Sequence, residues 1–260
     1  VTNTDPQLPW VTNYVETLLM KVWYPITVAT TSFHIKQLIL KYLNETGDPN
    51  SIDFKLHDFG YRGVSSEESA AIGGFAHLTN FKGSDTILAL EFAKYYYNED
   101  MAGFSIPAAE HSTIISYGEQ KEVEAYENMI NKFGNGSLYA VVSDSYDIYN
   151  ACKNIWGNIL KRKVLAAPGV LVIRPDSGIP HEVVLNVVEI LGDKFGSTIN
   201  DKGFKVLNKV RVIQGDGIDY DEIEKILHTL KIHNWSADNI AFGMGRALLQ
   251  KCNRDTSRFA

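Results

Sequence analysis

Val170-Leu171-Val172-Ile173-Arg174-Pro175-Asp176-Ser177-Gly178 is the stretch from which the rest of the chain can be read. Its apolar run reads as a buried strand, and that strand delivers an arginine and an aspartate, two positions apart, at its C-terminal end. The same grammar recurs outward in both directions. β-rich runs lie at 54–59, 78–81, 103–106, 138–142, 170–173, 210–213 and 239–242. Segments of helical period separate them at 67–77, 86–96, 121–133, 146–160, 183–195 and 220–232. Strands recurring roughly every 30 residues with a helix between them are βα units, which build a parallel sheet with helices outside it.

The residues just after each strand are more informative still. In order, the runs lead into Tyr61-Arg62, Ser84-Asp85, Glu110-His111, Ser143-Asp144, Arg174-Pro175-Asp176, Gly215-Asp216 and Gly243. Parallel α/β barrels assemble their active sites at that end, one loop per strand. An open doubly wound sheet also binds ligands at its strand C-termini, but seven units in regular rhythm favour a barrel, irregular or short of a strand. Residues 51–260 form this expected barrel domain. Residues 1–50 are expected as a helical lead-in, with helices at 11–21 and 33–43 joined through Trp23-Tyr24-Pro25. Helix starts are read at Ser65–Glu68 as a capping box, at Asp144 and Ser145, and at Asp219.

The 260 residues, 45% hydrophobic and 22% charged, can bury a sizeable core. Cys152 and Cys252 are too few and too far apart for a disulfide framework or zinc site, and read as reduced packing residues of a cytoplasmic protein. No run is long and apolar enough for a membrane span, and residues 1–10 do not read as a signal peptide. A formal charge of −6 argues against nucleic-acid binding. It leaves room for a small anionic substrate, because a few arginines can make a local positive pocket. Val1 and the abrupt end at Ala260 suggest part of a longer polypeptide.

Each motif has a functional and a structural reading. Arg174 can fork onto a phosphate or stack on a ring, and Asp176 can accept from two ribose hydroxyls; the alternative is an ion pair with Asp176 capping the next helix. Gly215-Asp216-Gly217 lets backbone approach a ligand closely, or is a plain Asp-Gly turn. Gly243-Met244-Gly245-Arg246, running into a helix from Ala247, sits where barrels hold phosphate. Phe59, Tyr61 and Arg62 combine ring faces with a cation; the alternative is simple core packing for one of the two aromatics. His111 shares the strand-end address, with Glu110 as a candidate orienting partner. Histidines 34, 57, 77, 181, 228 and 233 read as structural, and Asp144 and Ser145 as helix caps.

Together, His57–Gly63, Ala108–Thr113, Val142–Asp147, Ile173–Gly178 and Gln214–Gly217, with the lead-in Trp23–Thr30, resemble the nicotinamide phosphoribosyltransferase family, in its order and spacing. The resemblance runs the length of the chain. It implies a type II phosphoribosyltransferase: an irregular or incomplete parallel α/β barrel in a dimer, with the family's β-rich second domain and N-terminal segment missing from this chain. It implies a pentosyltransferase of NAD salvage that joins nicotinamide to phosphoribosyl pyrophosphate, with Mg²⁺ travelling on the pyrophosphate and ATP as a coupled substrate. Phe59 would stack on the nicotinamide ring and Asp85 would accept from its carboxamide. Arg62, His111 and Arg174 would surround pyrophosphate and ring, with His111 phosphorylated by ATP. Pro175 would stand with them, while Asp176, Gly215 and Asp216 would hold the ribose. Gly245, Arg246 and Arg254 would bind the 5′-phosphate, Arg254 in the partner subunit's site. One departure stands out, since the family has glycine where this chain has Arg246. The competing readings are a nicotinate phosphoribosyltransferase and a non-catalytic binding module.

Overall fold

A computed structural model describes residues 2–251. In chain order the strands are β1 (Leu56–Asp58), β2 (Gly83–Ser84), β3 (Ala108–Ala109), β4 (Leu138–Val142), β5 (Val170–Arg174), β6 (Ser197–Ile199), β7 (Lys205–Leu207), β8 (Val210–Gln214) and β9 (Ile240–Met244). Among the described residues, seven of them form one parallel sheet in the order β2-β1-β9-β8-β5-β4-β3, and β6–β7 is a separate antiparallel hairpin. The helices are α1 (Val11–Thr46), α2 (Glu67–Leu78), α3 (Ile87–Tyr97), α4 (His111–Ile115), α5 (Glu122–Phe133), α6 (Ile148–Asn150), α7 (Lys161–Ala166), α8 (Pro180–Phe195) and α9 (Tyr220–Ile232).

The sheet curls until its two ends meet. Segment 104–109 joins them: Phe104 bridges to Gly83 of β2, and Ala108 and Ala109 pair with Ala140 and Val141 of β4. Pro107 interrupts this strand because it has no N–H to donate, although its carbonyl still accepts from Ala140 at 2.8 Å. The run expected at 103–106 is therefore one bridge followed by a late two-residue strand. The run expected at 78–81 is also displaced. Leu78 ends α2, and the strand is Gly83–Ser84.

Strand alternation builds two cores. Val141, Leu171, Ile173, Val212 and Phe242 face outward into the main core, where Val184, Val187 and Leu191 of α8 and Ile223 and Leu227 of α9 cover them. Burying each such side chain is worth about 1.5–3 kcal/mol. Ala140, Val172 and Ile213 face inward, with Phe59, Ile106 and Ala241 packed against them. The two-residue period that turns Val172 inward also aims Arg174 into the barrel mouth.

Two helical expectations are corrected. The lead-in is one continuous helix, α1, with Pro25 inside it. Proline deprives the Lys21 carbonyl of its donor, but Lys21 is exposed to water. The next residue inward, Tyr24, is anchored to Ser69 O of α2 at 3.1 Å, and from Val28 onward α1 is drawn into the core. The segment expected as an α-helix over 146–160 is a single α turn followed by a π-helix, Ala151–Ile159. This wider winding accompanies Trp156 lying flat on Tyr126, with ring centroids 4.5 Å apart, while its Nε1 donates to Ser143 Oγ at 3.0 Å.

Candidate functional site

The loops after β1, β5, β8 and β9 enclose a cavity of about 550 Å³ at the C-terminal mouth of the barrel. Phe59, Arg62, Arg174, Asp176, Gly215, Asp216, Gly245 and Arg246 all line it. Asp219 and Lys251 line it too, although no sequence motif marks either as a site residue. Asp219 is expected only as a helix cap, and it does accept from Glu222 N at 3.1 Å.

The centre of the cavity is a packed group. Arg174 is held twice by Asp176, Nε to Oδ1 at 3.2 Å and Nη2 to Oδ2 at 2.9 Å, and its Nη1 reaches Glu110 at 3.3 Å. Burial works against the guanidinium charge, but Asp176 and then Glu110 outweigh it and the pKa ends above its ordinary value. The guanidinium lies 5.7 Å from the centroid of Phe59, within cation–π range. Phe59 needs glycine beneath it: a Cβ on Gly243 would stand 2.0 Å from Phe59 Cε2. A Cβ on Gly215 would stand 3.0 Å from Asp176 Oδ1. The ion-pair alternative is thus also true of Arg174 and Asp176. The capping alternative is not, since α8 is capped at Ile179, without a side-chain bond, and starts on Pro180.

Asp144 has a different role from the one its sequence position suggests. The helix after β4 is capped by Asp147, which accepts from the N–H groups of Tyr149 and Asn150. Asp144, with its side chain only 4% exposed, pairs Oδ1 with His111 Nε2 at 2.9 Å. Its Oδ2 accepts from Asp176 N at 3.1 Å and Ser177 Oγ at 2.6 Å. So the partner of His111 is Asp144, and Glu110 serves Arg174. His111 Nδ1 lies 4.0 Å from Asp176 Oδ2. A similar one-position correction applies to the capping box, where Ser66, not Ser65, caps α2 by accepting from Ser69 N.

Pro175 is buried between Arg174 and Asp176. Asp85 is exposed, anchored by its N–H to Asp58 O at 2.9 Å, and accepts from Ser105 Oγ at 2.5 Å. Ser105 belongs to a second, mostly apolar chamber of about 460 Å³ inside the barrel, lined also by His57, Leu138, Ile213 and Ala241. His57, in the lining of this chamber, and Phe59, in that of the mouth, have ring centroids 6.3 Å apart. At the chamber's lower end Lys55 Nζ donates to the carbonyls of Ala237, Asp238 and Ile240. Burial pushes it down to about 8. After Gly245 the chain makes a turn through Leu249, not the expected helix, with Leu248 N bonded to Gly245 O at 3.0 Å. Arg254 lies outside the described residues. Of the histidines expected to be structural, 57, 77, 181 and 233 have hydrogen-bond partners, and 34 and 228 are exposed.

Comparison with known proteins gives the chain a family and a fold. The sequence profile described as the Nicotinate phosphoribosyltransferase (NAPRTase) family matches residues 54–260. A nicotinamide phosphoribosyltransferase of Xanthomonas campestris pv. campestris (strain 8004) is 52% identical over all of this chain and 56% of its own length. One of Mycoplasma genitalium is 39% identical, over 58% of its length. The chain therefore spans little more than half of these relatives. Among solved structures, a nicotinate phosphoribosyltransferase from Porphyromonas gingivalis superposes with a TM-score of 0.56 at 15% identity, covering 87% of this chain and 51% of that one. A putative nicotinate phosphoribosyltransferase from Saccharomyces cerevisiae gives 0.54 at 14% identity, covering 87% and 50%. These two share the fold. Among the described residues, no helix is long and apolar enough to cross a membrane.

Proposed function

The chain belongs to the nicotinate phosphoribosyltransferase (NAPRTase) family, and on that premise we propose that it carries the barrel that transfers phosphoribose from phosphoribosyl pyrophosphate to nicotinamide, yielding nicotinamide mononucleotide and pyrophosphate. The observation that carries this reading is the Arg174–Asp176 pair facing Phe59 over two glycine positions in one cavity. A flat ring, a ribose and an anion are the three parts such a site accommodates. The names of relatives up to 52% identical over the whole chain favour the amide as acceptor.

In the reaction the pyridine nitrogen attacks the anomeric carbon as the bond to pyrophosphate breaks. Negative charge grows on the leaving group, where Arg62, Arg174, Arg246 and Lys251 supply fixed positive charge at the cavity wall. Positive charge grows on the ribose, near Asp176 and Asp216. Gly215 brings backbone close to the hydroxyls, and Gly245 with Arg246 forms a turn suited to the 5′-phosphate. Arg246, where the resembling family has glycine, adds a phosphate contact in this reading. Holding both substrates in register supplies much of the acceleration without a covalent intermediate on the sugar. Asp216 and Asp219, carboxylates in the cavity lining, would hold Mg²⁺ arriving on the pyrophosphate; the ion contributes charge neutralisation.

ATP coupling belongs to the same proposal. With Asp144 on Nε2, Nδ1 of His111, 4.0 Å from Asp176 Oδ2, is the nitrogen left to accept the γ-phosphoryl group as ADP leaves. Asp85 supplies specificity: an ionised carboxylate accepts from the carboxamide NH₂ and repels the carboxylate of nicotinate. Transfer to nicotinate is the second reading, favoured by the family description and the structural neighbours. A cytoplasmic homodimer completes the proposal. Trp10, Tyr14, Leu18 and Trp23, exposed on and just before the N-terminal half of α1, are surface that an assembly would cover.

The test is a product assay. The intact natural polypeptide, given nicotinamide, phosphoribosyl pyrophosphate and Mg²⁺, should form nicotinamide mononucleotide, and faster than it forms the nicotinate product. Nucleotide binding without product would identify a binding module instead.

A further inference from the structure

Asp58 is the buried ionisable group that this chemistry leaves unused. It stands on β1 between His57 and Phe59, whose rings face the interior, and its own side chain turns the other way, against α2. A Cβ on Gly74 would lie 3.2 Å from Asp58 Oδ2. Its exposure is zero. Oδ1 accepts from Gly60 N at 2.7 Å, closing a turn around Phe59. The Asp58 carbonyl accepts from Asp85 N at 2.9 Å. On the far side of Asp85, Ser84 Oγ accepts from Thr86 N at 3.1 Å. One residue thus holds the ring-stacking segment by its side chain and the carboxamide-reading segment by its backbone.

The second oxygen is the anomaly. Among the described residues, Asp58 Oδ2 is buried without a hydrogen-bond partner, and so is Thr86 Oγ1, although the Thr86 hydroxyl lies near enough to act on the carboxyl. Two unmet polar atoms side by side in a dry pocket are costly. Both defects go once Oδ2 and Thr86 Oγ1 share a proton, and with the carboxyl protonated it is Oδ2–H that donates to Thr86 Oγ1 while Oδ1 keeps Gly60. Among the described residues, no cation is among the groups that act on the carboxyl. The ionisable groups that feel it are Asp85, a second anion, and Tyr24 of α1, while α2 and α3 present Gly74 and Ala89. Burial, joined by the charge of Asp85 and opposed by the Gly60 N–H and the nearby Thr86 and Ser84 hydroxyls, pushes Asp58 up to about 6.

We propose that Asp58, in its protonated form and bonded to Thr86, is a positioning residue that locks the Phe59 turn to the Asp85 turn and so fixes the distance between ring stacking and carboxamide reading. The functional meaning of this lock rests on the roles proposed above for Phe59 and Asp85; the proton and its bond do not.

The experiment has two arms on the intact polypeptide. The first follows ¹³C-labelled aspartate carboxyls by NMR. One carboxyl should titrate near pH 6 and vanish in Asp58→Asn; an Asp58 that titrates in the ordinary carboxylate range overturns the proposal. The second measures kinetics from about pH 5 to 8. In the parent, the KM for nicotinamide should rise through an inflection near pH 6. Asp58→Asn, whose amide can donate to Thr86 and still accept from Gly60, should flatten that inflection and hold the low-pH value. Asp58→Ala, and Thr86→Val as the milder variant, should raise the nicotinamide KM about tenfold and change the KM for phosphoribosyl pyrophosphate less than about twofold. Equal rises in both constants, or loss of thermal stability alone, would assign Asp58 a merely structural role. A parent that makes no nicotinamide mononucleotide refutes the functional reading separately. The NMR arm then decides, because Asp58→Ala but not Asp58→Asn should shift the Phe59 ring and Asp85 carboxyl signals.

Discussion

At the scale of single residues, Asp144 gathers His111, Asp176 and Ser177 onto one nearly buried carboxylate. Asp144→Asn should therefore impair ATP stimulation more than basal turnover, about tenfold against about twofold. Its amide has one acceptor oxygen where the carboxylate has two; with that oxygen kept on Asp176 N and Ser177 Oγ, His111 loses its acceptor while the cavity lining stays intact. His111→Ala should do the same more completely; equal loss of both rates, measured with and without ATP, would contradict the phosphohistidine role. At Asp85, Asn or Ser should lower the nicotinamide-to-nicotinate ratio of kcat/KM by about tenfold or more, as removal of a charged acceptor implies, and an unchanged ratio would count against amide reading. Most of these positions are legible from their address at strand C-termini, which is a property of chain order. Asp144 shares that address but is hidden, because Asp-Ser before a helical run is also the signature of an N-cap. Only the fold shows that Asp147, one helical turn later, does the capping. The pairing of Glu110 with Arg174 spans 64 positions, and no local pattern encodes it.

Among elements, β1 and β9 are fitted to each other through Phe59 and Gly243. A methyl group on Gly243 would collide with the ring, and overpacking of this kind costs about 1–3 kcal/mol. Gly243→Ala should raise the KM for nicotinamide about tenfold and lower Tm by roughly 2–10 °C; calorimetry with substrate kinetics would check both, and an unchanged KM would remove Phe59 from the ring site. The five-residue strands β4, β5, β8 and β9 are readable because apolar residues dominate each of them. The shorter β1, β2 and β3 are misplaced or blurred in the sequence, since two or three residues carry little pattern and their positions are fixed by neighbours. Local propensity divides α1 into two helices because proline ordinarily breaks one. The anchoring of Tyr24 on α2 is a tertiary contact 45 positions away, outside the reach of such propensity.

For the whole molecule, the barrel closes by joining both sheet ends through 104–109, and its interior is left partly open, as a mouth and an inner chamber meeting near Phe59. Stability should carry the mark of Asp58. Its carboxyl is raised by folding to about 6, so the protonated form favours the fold; that contribution is full below the ordinary aspartate range and is lost as pH rises through about 6. A shift of that size corresponds to about 3 kcal/mol. Asp58→Asn, which lacks this linkage, should gain stability over the parent as pH climbs from about 4 to 7 in urea unfolding, and parallel pH profiles would contradict the buried proton. The central claim is that one cavity seats ring, ribose and phosphate for transfer to nicotinamide. A crystal structure of the intact polypeptide with nicotinamide mononucleotide tests it most directly. The pyridine ring should lie on Phe59 with its carboxamide toward Asp85, the ribose at Asp176 and Asp216, and the phosphate at Gly245 and Arg246. A nucleotide bound elsewhere, or with its carboxamide turned away from Asp85, would contradict it.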